Sequence, residues 1–128
     1  MKMIFASKTG NVRRFVDKLS FLDCQPLQST LQVDKPFILI TYTTGFGDIP
    51  LEVRHFLKNN HHFLRGVAAS GNRIWGNRFA KSADTISQMY HVPVLHKFEL
   101  SGTPNDVAIF SQEVEALVTK SSTKVGTA

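Results

Sequence analysis

Four short stretches concentrate the side chains that could bind a ligand: Ser7-Lys8-Thr9-Gly10-Asn11, Thr43-Thr44-Gly45-Phe46-Gly47-Asp48, the segment from Ser70 to Phe79, and Glu99-Leu100-Ser101-Gly102-Thr103. The first lies where an apolar run gives way to a helical pattern beginning Asn11-Val12. Backbone N–H groups at a helix start, hydroxyls, an Asn side chain and the positive end of the helix together suit a phosphate dianion. Gly10 lets the backbone come close because it carries no Cβ. The same five residues also make an ordinary capped turn, so their neighbours must decide.

In the second stretch Gly45 and Gly47 flank Phe46, giving a backbone that can lie edge-on to a planar ligand with the Phe46 ring near its face and a peptide able to flip. In the third, "SGNRIWGNRF", the chain's single Trp, Trp75, stands among Ser70, Gly71, Asn72, Gly76 and Phe79, with Arg73 and Arg78 beside it. A Trp in a glycine-rich loop reads as a stacking surface rather than a core residue. The fourth adds Gly102 and another helix start.

Other phosphate chemistries are excluded by spacing. A Walker-type loop needs Gly-Lys-Ser/Thr, and no Gly-Lys pair occurs. A dinucleotide turn needs a third glycine where Pro50 follows Gly45 and Gly47. A receiver domain places Asp at the end of the central strand, where only Thr43 and Thr44 stand, and a small cysteine phosphatase needs Arg where Thr30 follows Cys24.

The elements that must position these stretches follow from periodicity. Apolar runs alternate with amphipathic stretches, the pattern of a parallel sheet with helices on both faces. Strands are expected over Lys2 to Ala6, Gln25 to Leu27, Pro36 to Thr43, Leu64 to Ser70 and Val92 to Leu100. The third should be central and buried on both sides, since it shows almost no alternation. Helices are expected over Asn11 to Leu22, with Val12, Phe15, Val16 and Leu19 inward; over Ile49 to Asn60, with Pro50 in the first turn; over Phe79 to His91; and over Thr103 to Lys120, with Thr103 as N-cap. Residues 121–128 show no periodicity and read as a flexible tail after a single domain over residues 1–120. Five strands and four helices suggest an α/β, flavodoxin-like three-layer doubly wound sandwich with strand order 2-1-3-4-5, whose ligand site lies beyond the carboxyl ends of strands one and three. That rim is where the four stretches fall.

The 128 residues carry 15 Lys and Arg against 10 Asp and Glu, a formal charge of +5, which favours an anionic partner. Single Cys24 excludes an internal disulfide, fits a reducing compartment and reads as a small buried or half-buried thiol. The start Met-Lys-Met-Ile-Phe-Ala-Ser turns polar too early for a signal peptide, and no apolar run is long enough to span a bilayer, so a cytoplasmic protein without a membrane role is expected. His55, His61, His62, His91 and His96 have no metal-binding spacing, and His61 and His62 should close the second helix.

A phosphate site beside two aromatic loops at a switch point describes a mononucleotide with a broad flat ring, and FMN fits best. The stretches "SKTGN", "TYTTGFG", "ASGNRIWG" and "FELSGTPNDV" resemble those of the NrdI family, from Met1 to about Lys120. The resemblance implies a flavodoxin-like FMN protein that, when reduced by an electron donor, reacts with O2. It then supplies superoxide or peroxide to the dimanganese small subunit of class Ib ribonucleotide reductase for assembly of the tyrosyl radical. Carried over, it places Ser7, Lys8, Thr9, Gly10, Asn11 and Val12 at the phosphate. Thr43, Thr44, Gly45, Phe46 and Gly47 would line one side of the ring, and Ser70, Gly71, Asn72, Trp75, Gly76 and Phe79 the other. No side chain need act as an acid or base, since the flavin carries the chemistry.

Two other readings compete. A general electron-carrier flavodoxin would be acidic near the flavin, whereas Lys8, Arg13, Arg14, Arg73 and Arg78 stand near these stretches against Asp48. The excess of cations predicts a reduced flavin anion that is less penalised than in such carriers. A flavin-free nucleic-acid module would interleave aromatics with its basic residues, but here the aromatics fall on core faces or in the glycine loops, so no nucleic-acid partner is expected.

Overall fold

A computed structural model describes residues 1–28, 30–45 and 47–127, with side chains as far as Lys120. Strands β1 (Lys2–Phe5), β2 (Cys24–Pro26), β3 (Phe37–Thr41), β4 (Leu64–Gly71) and β5 (Val94–Glu99) form one sheet in the order β2-β1-β3-β4-β5. Every neighbouring pair is parallel. Helices α1 (Asn11–Asp17), α2 (Leu51–Asn60) and α3 (Lys81–Tyr90) carry the crossovers from β1 to β2, β3 to β4 and β4 to β5, β2 and β3 are joined without a helix among the described residues, and α4 (Pro104–Thr127) follows β5. This is the expected flavodoxin-like sandwich.

The central strand shows why alternation was missing from its sequence. Phe37 and Leu39 pack with Val53, Phe56, Ala83 and Ile86 of α2 and α3, while Ile38 and Ile40 pack with Val12, Phe15, Phe110 and Val114 of α1 and α4. Each face of β3 is covered, so Phe37, Ile38, Leu39 and Ile40 are all apolar, and only Thr41 at the end next to the loops is polar. On the α1/α4 side Phe15 stacks on Phe98 with centroids 3.9 Å apart and meets Phe110 edge-on at 5.7 Å. Cys24 is half-buried, and its burial, aided by Asp23, pushes the thiol up to about 11.

Several boundaries differ from the expectation. Helix α1 stops at Asp17 rather than Leu22. From there the Lys18, Leu19 and Leu22 N–H groups each donate to a carbonyl three residues back, a tightened run that buries Leu19 and turns the chain toward β2. Pro50 is the N-cap of α2, one position before its first turn. Two short 3-10 turns over Arg73–Arg78, broken by a kink at Gly76, occupy what reads in sequence as a loop; the first is capped by Asn72, whose side-chain oxygen accepts from the Ile74 N–H. Helix α4 continues to Thr127, beyond the expected end at Lys120. At the close of α2, His61 Nδ1 lies 2.9 Å from the Leu57 carbonyl oxygen, whereas His62 stacks on the His61 ring instead.

Candidate functional site

At the carboxyl ends of β1, β3, β4 and β5 the loops enclose a cleft of about 370 Å³. The turn after β1 contributes Ser7, Lys8, Thr9, Asn11 and Val12. Gly10, with φ of 91°, is the α1 N-cap and stands behind the wall, where a Cβ would lie 2.8 Å from the Arg14 guanidinium. Ser7 Oγ accepts from the Arg13 N–H at 3.2 Å, fixing the turn to the helix. Asn11 Oδ1 accepts from Arg14 at 2.7 Å and from Ser101 Oγ at 2.9 Å, and Arg14 Nε donates to Ser101 Oγ at 2.8 Å. These bonds clasp the turn to the loop after β5, and Lys18 Nζ adds donations to the Ser101 and Gly102 carbonyls.

The opposite end of the cleft is built by Thr43, Thr44, Gly45 and Gly47 from the loop after β3, and by Ser70, Gly71, Asn72 and Trp75 after β4. Phe46 lies outside the described residues. Thr43 Oγ1 donates to the Ser70 carbonyl at 3.0 Å and lies 2.7 Å from Ser82 Oγ, which is fully buried at the start of α3. Ser70 Oγ donates to the Leu100 carbonyl at 2.6 Å, and the Leu100 N–H returns a bond to the Gly71 carbonyl at 2.9 Å. Three loops thus share one hydroxyl and backbone network, which holds them as a single wall. Gly71 permits close contact, since a Cβ there would sit 2.5 Å from the Ala80 nitrogen.

Trp75 is 47% exposed, as expected of a ring offered to a ligand rather than to the core. Gly76 and Phe79 fall outside the wall: Gly76 has open space about it and kinks the chain between the two 3-10 turns with φ of 57°, and Phe79 packs partly buried with the Arg73 guanidinium 4.5 Å above its ring. Tyr42, Arg78, Ala80 and Leu100 complete the lining. Sequence placed Tyr42 inside a strand and Arg78 among the nearby cations, and gave no signal for Ala80 or Leu100. The Tyr42 hydroxyl donates to Glu52, and burial first, then that carboxylate, pushes its pKa up to about 12.

The cations sort differently from their positions in sequence. Lys8 and Arg78 line the cleft, and no Asp or Glu does so among the described residues. Arg14 is turned to Asn11 and Ser101, whereas Arg13 faces Asp17 at 3.5 Å and Arg73 faces Glu99 at 3.8 Å. Both carboxylate pairs are exposed, so they dilute the field of their cations without contributing much stability.

The model of the family described as NrdI flavodoxin-like matches residues 3–112. The chain belongs to this family. It is 58% identical over 125 residues to Protein NrdI of Bacillus licheniformis, covering 98% of this chain and 95% of that relative. Its fold is similar to a solved short-chain flavodoxin associated with a non-canonical PDU bacterial microcompartment, with a TM-score of 0.72 at 19% identity over 93% of this chain and 96% of that one. The NrdI match therefore spans all four loops that build the cleft, and the structural likeness extends the same fold to a distant flavodoxin. No helix among the described residues is long and apolar enough to cross a membrane.

Proposed function

We propose that this NrdI-family protein binds FMN in the cleft and, with the flavin reduced by a donor, serves as the O2-dependent activator of the dimanganese small subunit of class Ib ribonucleotide reductase. The cleft itself carries the reading. Its Ser7-to-Val12 end offers hydroxyls, Lys8 and the N–H groups of a helix start, a donor set suited to a phosphate. Its other end sets Trp75 and the Gly71-Asn72 backbone across from Thr43, Thr44, Gly45 and Gly47, two loops between which a flat ring could lie with Trp75 at its face. Polar at one end and flat-walled at the other, the residues present fit FMN.

Bound flavin would supply the electron transfer to O2. This chain's residues bind and orient it: Ser7, Lys8, Thr9, Asn11 and Val12 at the phosphate, with Gly10 capping α1 behind them, and the two loops at the ring. The Thr43–Ser70–Ser82 network keeps those loops at a fixed separation, and Lys8 and Arg78 favour negative charge in the slot. The small subunit would approach the open mouth, where Trp75 and Leu100 stand exposed in a protein we place in the cytoplasm.

Titration of the purified chain with FMN, followed by quenching of flavin fluorescence, tests the cofactor. Saturation at one flavin per chain is expected, and a chain that leaves FMN fluorescence unchanged overturns the reading. The role is tested by adding the reduced flavoprotein and O2 to manganese-loaded small subunit and recording the tyrosyl radical by electron paramagnetic resonance. A radical yield no higher than with free reduced FMN would reject the activator role while leaving flavin binding intact.

A further inference from the structure

Helix α2 sends Val53, Phe56 and Leu57 into the core and leaves Leu51, Arg54, His55 and Lys58 along its outer side, spaced three and four apart. Leu51 is 68% exposed, and Met89 of α3 is 49% exposed across from it. With Ile49 they line a groove of about 280 Å³ between the two helices, flanked by Arg54, His55 and Lys58. It shares no lining residue with the cleft. Of the large exposed apolar side chains, Ile74, Trp75 and Leu100 belong to the cleft loops; Leu51 and Met89 are the pair that meets in a second depression.

Charge selects the occupant. Arg54, His55 and Lys58 make no side-chain hydrogen bond or ion pair among the described residues, unlike Arg13, Arg73 and Lys97, each of which faces a carboxylate. The acids of α2 and α3 are engaged elsewhere: Glu52 accepts from Tyr42, and Asp84 from Lys97. The groove is therefore apolar at its floor and uncompensated positive along one wall. Two exposed apolar side chains are too few for a membrane-binding face, and Tyr90, the one Phe, Tyr or Trp in the lining, is partly buried and already stacked on the His61 ring rather than offered to a base.

We propose that the α2–α3 groove docks an acidic protein segment bearing one or two large apolar side chains, whose anchors cover Leu51 and Met89 while its carboxylates meet Arg54 and Lys58. Such a segment would sit beside the cleft and leave its mouth open. Its chemistry, an apolar anchor within a charged rim, is that of a short amphipathic motif laid in a groove.

The test uses the full chain and a fluorescein-labelled synthetic peptide in which Leu and Phe anchors are set among Asp and Glu. Fluorescence anisotropy is read at low and physiological ionic strength, and 15N chemical-shift mapping locates the contact. Binding should perturb α2 and the end of α3, weaken with salt, and fall about tenfold in the R54E/K58E double variant and about fivefold in L51S/M89S. These positions are exposed, so melting temperature and FMN titration should be unchanged, and K58Q gives a milder check on charge. The proposal is overturned if the groove shows no shifts, or if a peptide with Ser in place of its anchors binds equally. It is equally overturned if phosphatidylserine vesicles or a polyuridine oligomer bind the same face more tightly than the peptide, or if the face pairs two copies of the chain.

Discussion

Leu100 adopts φ of 53°, a left-handed conformation that costs a residue with a Cβ roughly 1–2 kcal/mol, yet its side chain is 47% exposed in the wall of the cleft. Strain at an exposed apolar residue points to work done at the ligand rather than in the core. L100G should therefore melt within about 1 kcal/mol of the parent, since relief of strain offsets the greater freedom of the unfolded glycine. FMN affinity should nevertheless fall severalfold, which a fluorescence titration beside a thermal melt would resolve; loss of more than about 2 kcal/mol of stability would mean that Leu100 is a packing residue. Gly102 and Gly76 give a paired comparison, both with positive φ. A Cβ at Gly102 would lie 2.7 Å from buried Phe15, whereas among the described residues nothing beyond its chain neighbours approaches the Gly76 position within 4 Å. G76A should cost backbone strain alone, about 1–3 kcal/mol since its ψ of −122° lies outside the left-handed helical region, and G102A should cost more than G76A once overpacking against Phe15 is added, as read from urea denaturation. The sequence pointed to the cleft's hydroxyls, Asn11, Asn72, Gly45, Gly47 and Gly71 because a phosphate or flat-ring site would need those types, but it also named Gly10, Gly76 and Phe79, which fall outside the wall. Tyr42, Ala80 and Leu100 were not legible, because their place in the wall depends on where strands end and on one backbone twist at Leu100.

The elements themselves were legible wherever burial imposes a period, as at Val12, Phe15 and Val16 or at Val53, Phe56 and Leu57. They were misread where backbone turns decide, as after Asp17, where burial of Leu19 continues the apolar spacing although the helix has ended. The start of α4 was visible from Thr103 and Pro104, but its third partner was not: Asp106 accepts from the Thr103 N–H and hydroxyl at 2.8 and 3.0 Å, returns its own N–H to Thr103 Oγ1, and meets His96 Nε2 of β5 at 2.7 Å. Burial alone would raise the Asp106 carboxyl, but the His96 bond and then the two Thr103 bonds outweigh it and hold its pKa below the ordinary 3.8. A carboxyl depressed in the folded state contributes stability above its unfolded pKa and loses it as pH falls through the folded one. D106N should thus lower stability at pH 7 by roughly 1 kcal/mol, the size of a lost charged cap, with the deficit shrinking below about pH 4. Urea midpoints at the two pH values check this, and a deficit that stays constant with pH would show that charge plays no part.

At the scale of the whole molecule the +5 charge is unevenly used. Arg13, Arg73 and Lys97 are set against carboxylates, while Lys8 and Arg78 line the cleft and no acid among the described residues joins them there. Reduction of a bound flavin to its anion places negative charge in that slot, so these two cations should make the second electron easier to add than in a carrier with an acidic rim. The five cations near the loops in sequence thus reduce to two in the wall, with Arg14 turned to the clasp behind it. Spectroelectrochemical titration of K8Q and R78Q should show the second reduction moving to more negative potential, each by an amount on the order of tens of millivolts because both groups are exposed and screened. R13Q, which lies outside the cleft lining and faces Asp17, should shift the potential less than either. If all three variants move it equally, the effect belongs to net charge and not to the wall of the cleft. If K8Q and R78Q leave it unchanged while FMN still binds, the electrostatic account of this site fails, and the lack of acids along the wall would have to serve something other than the flavin's charge.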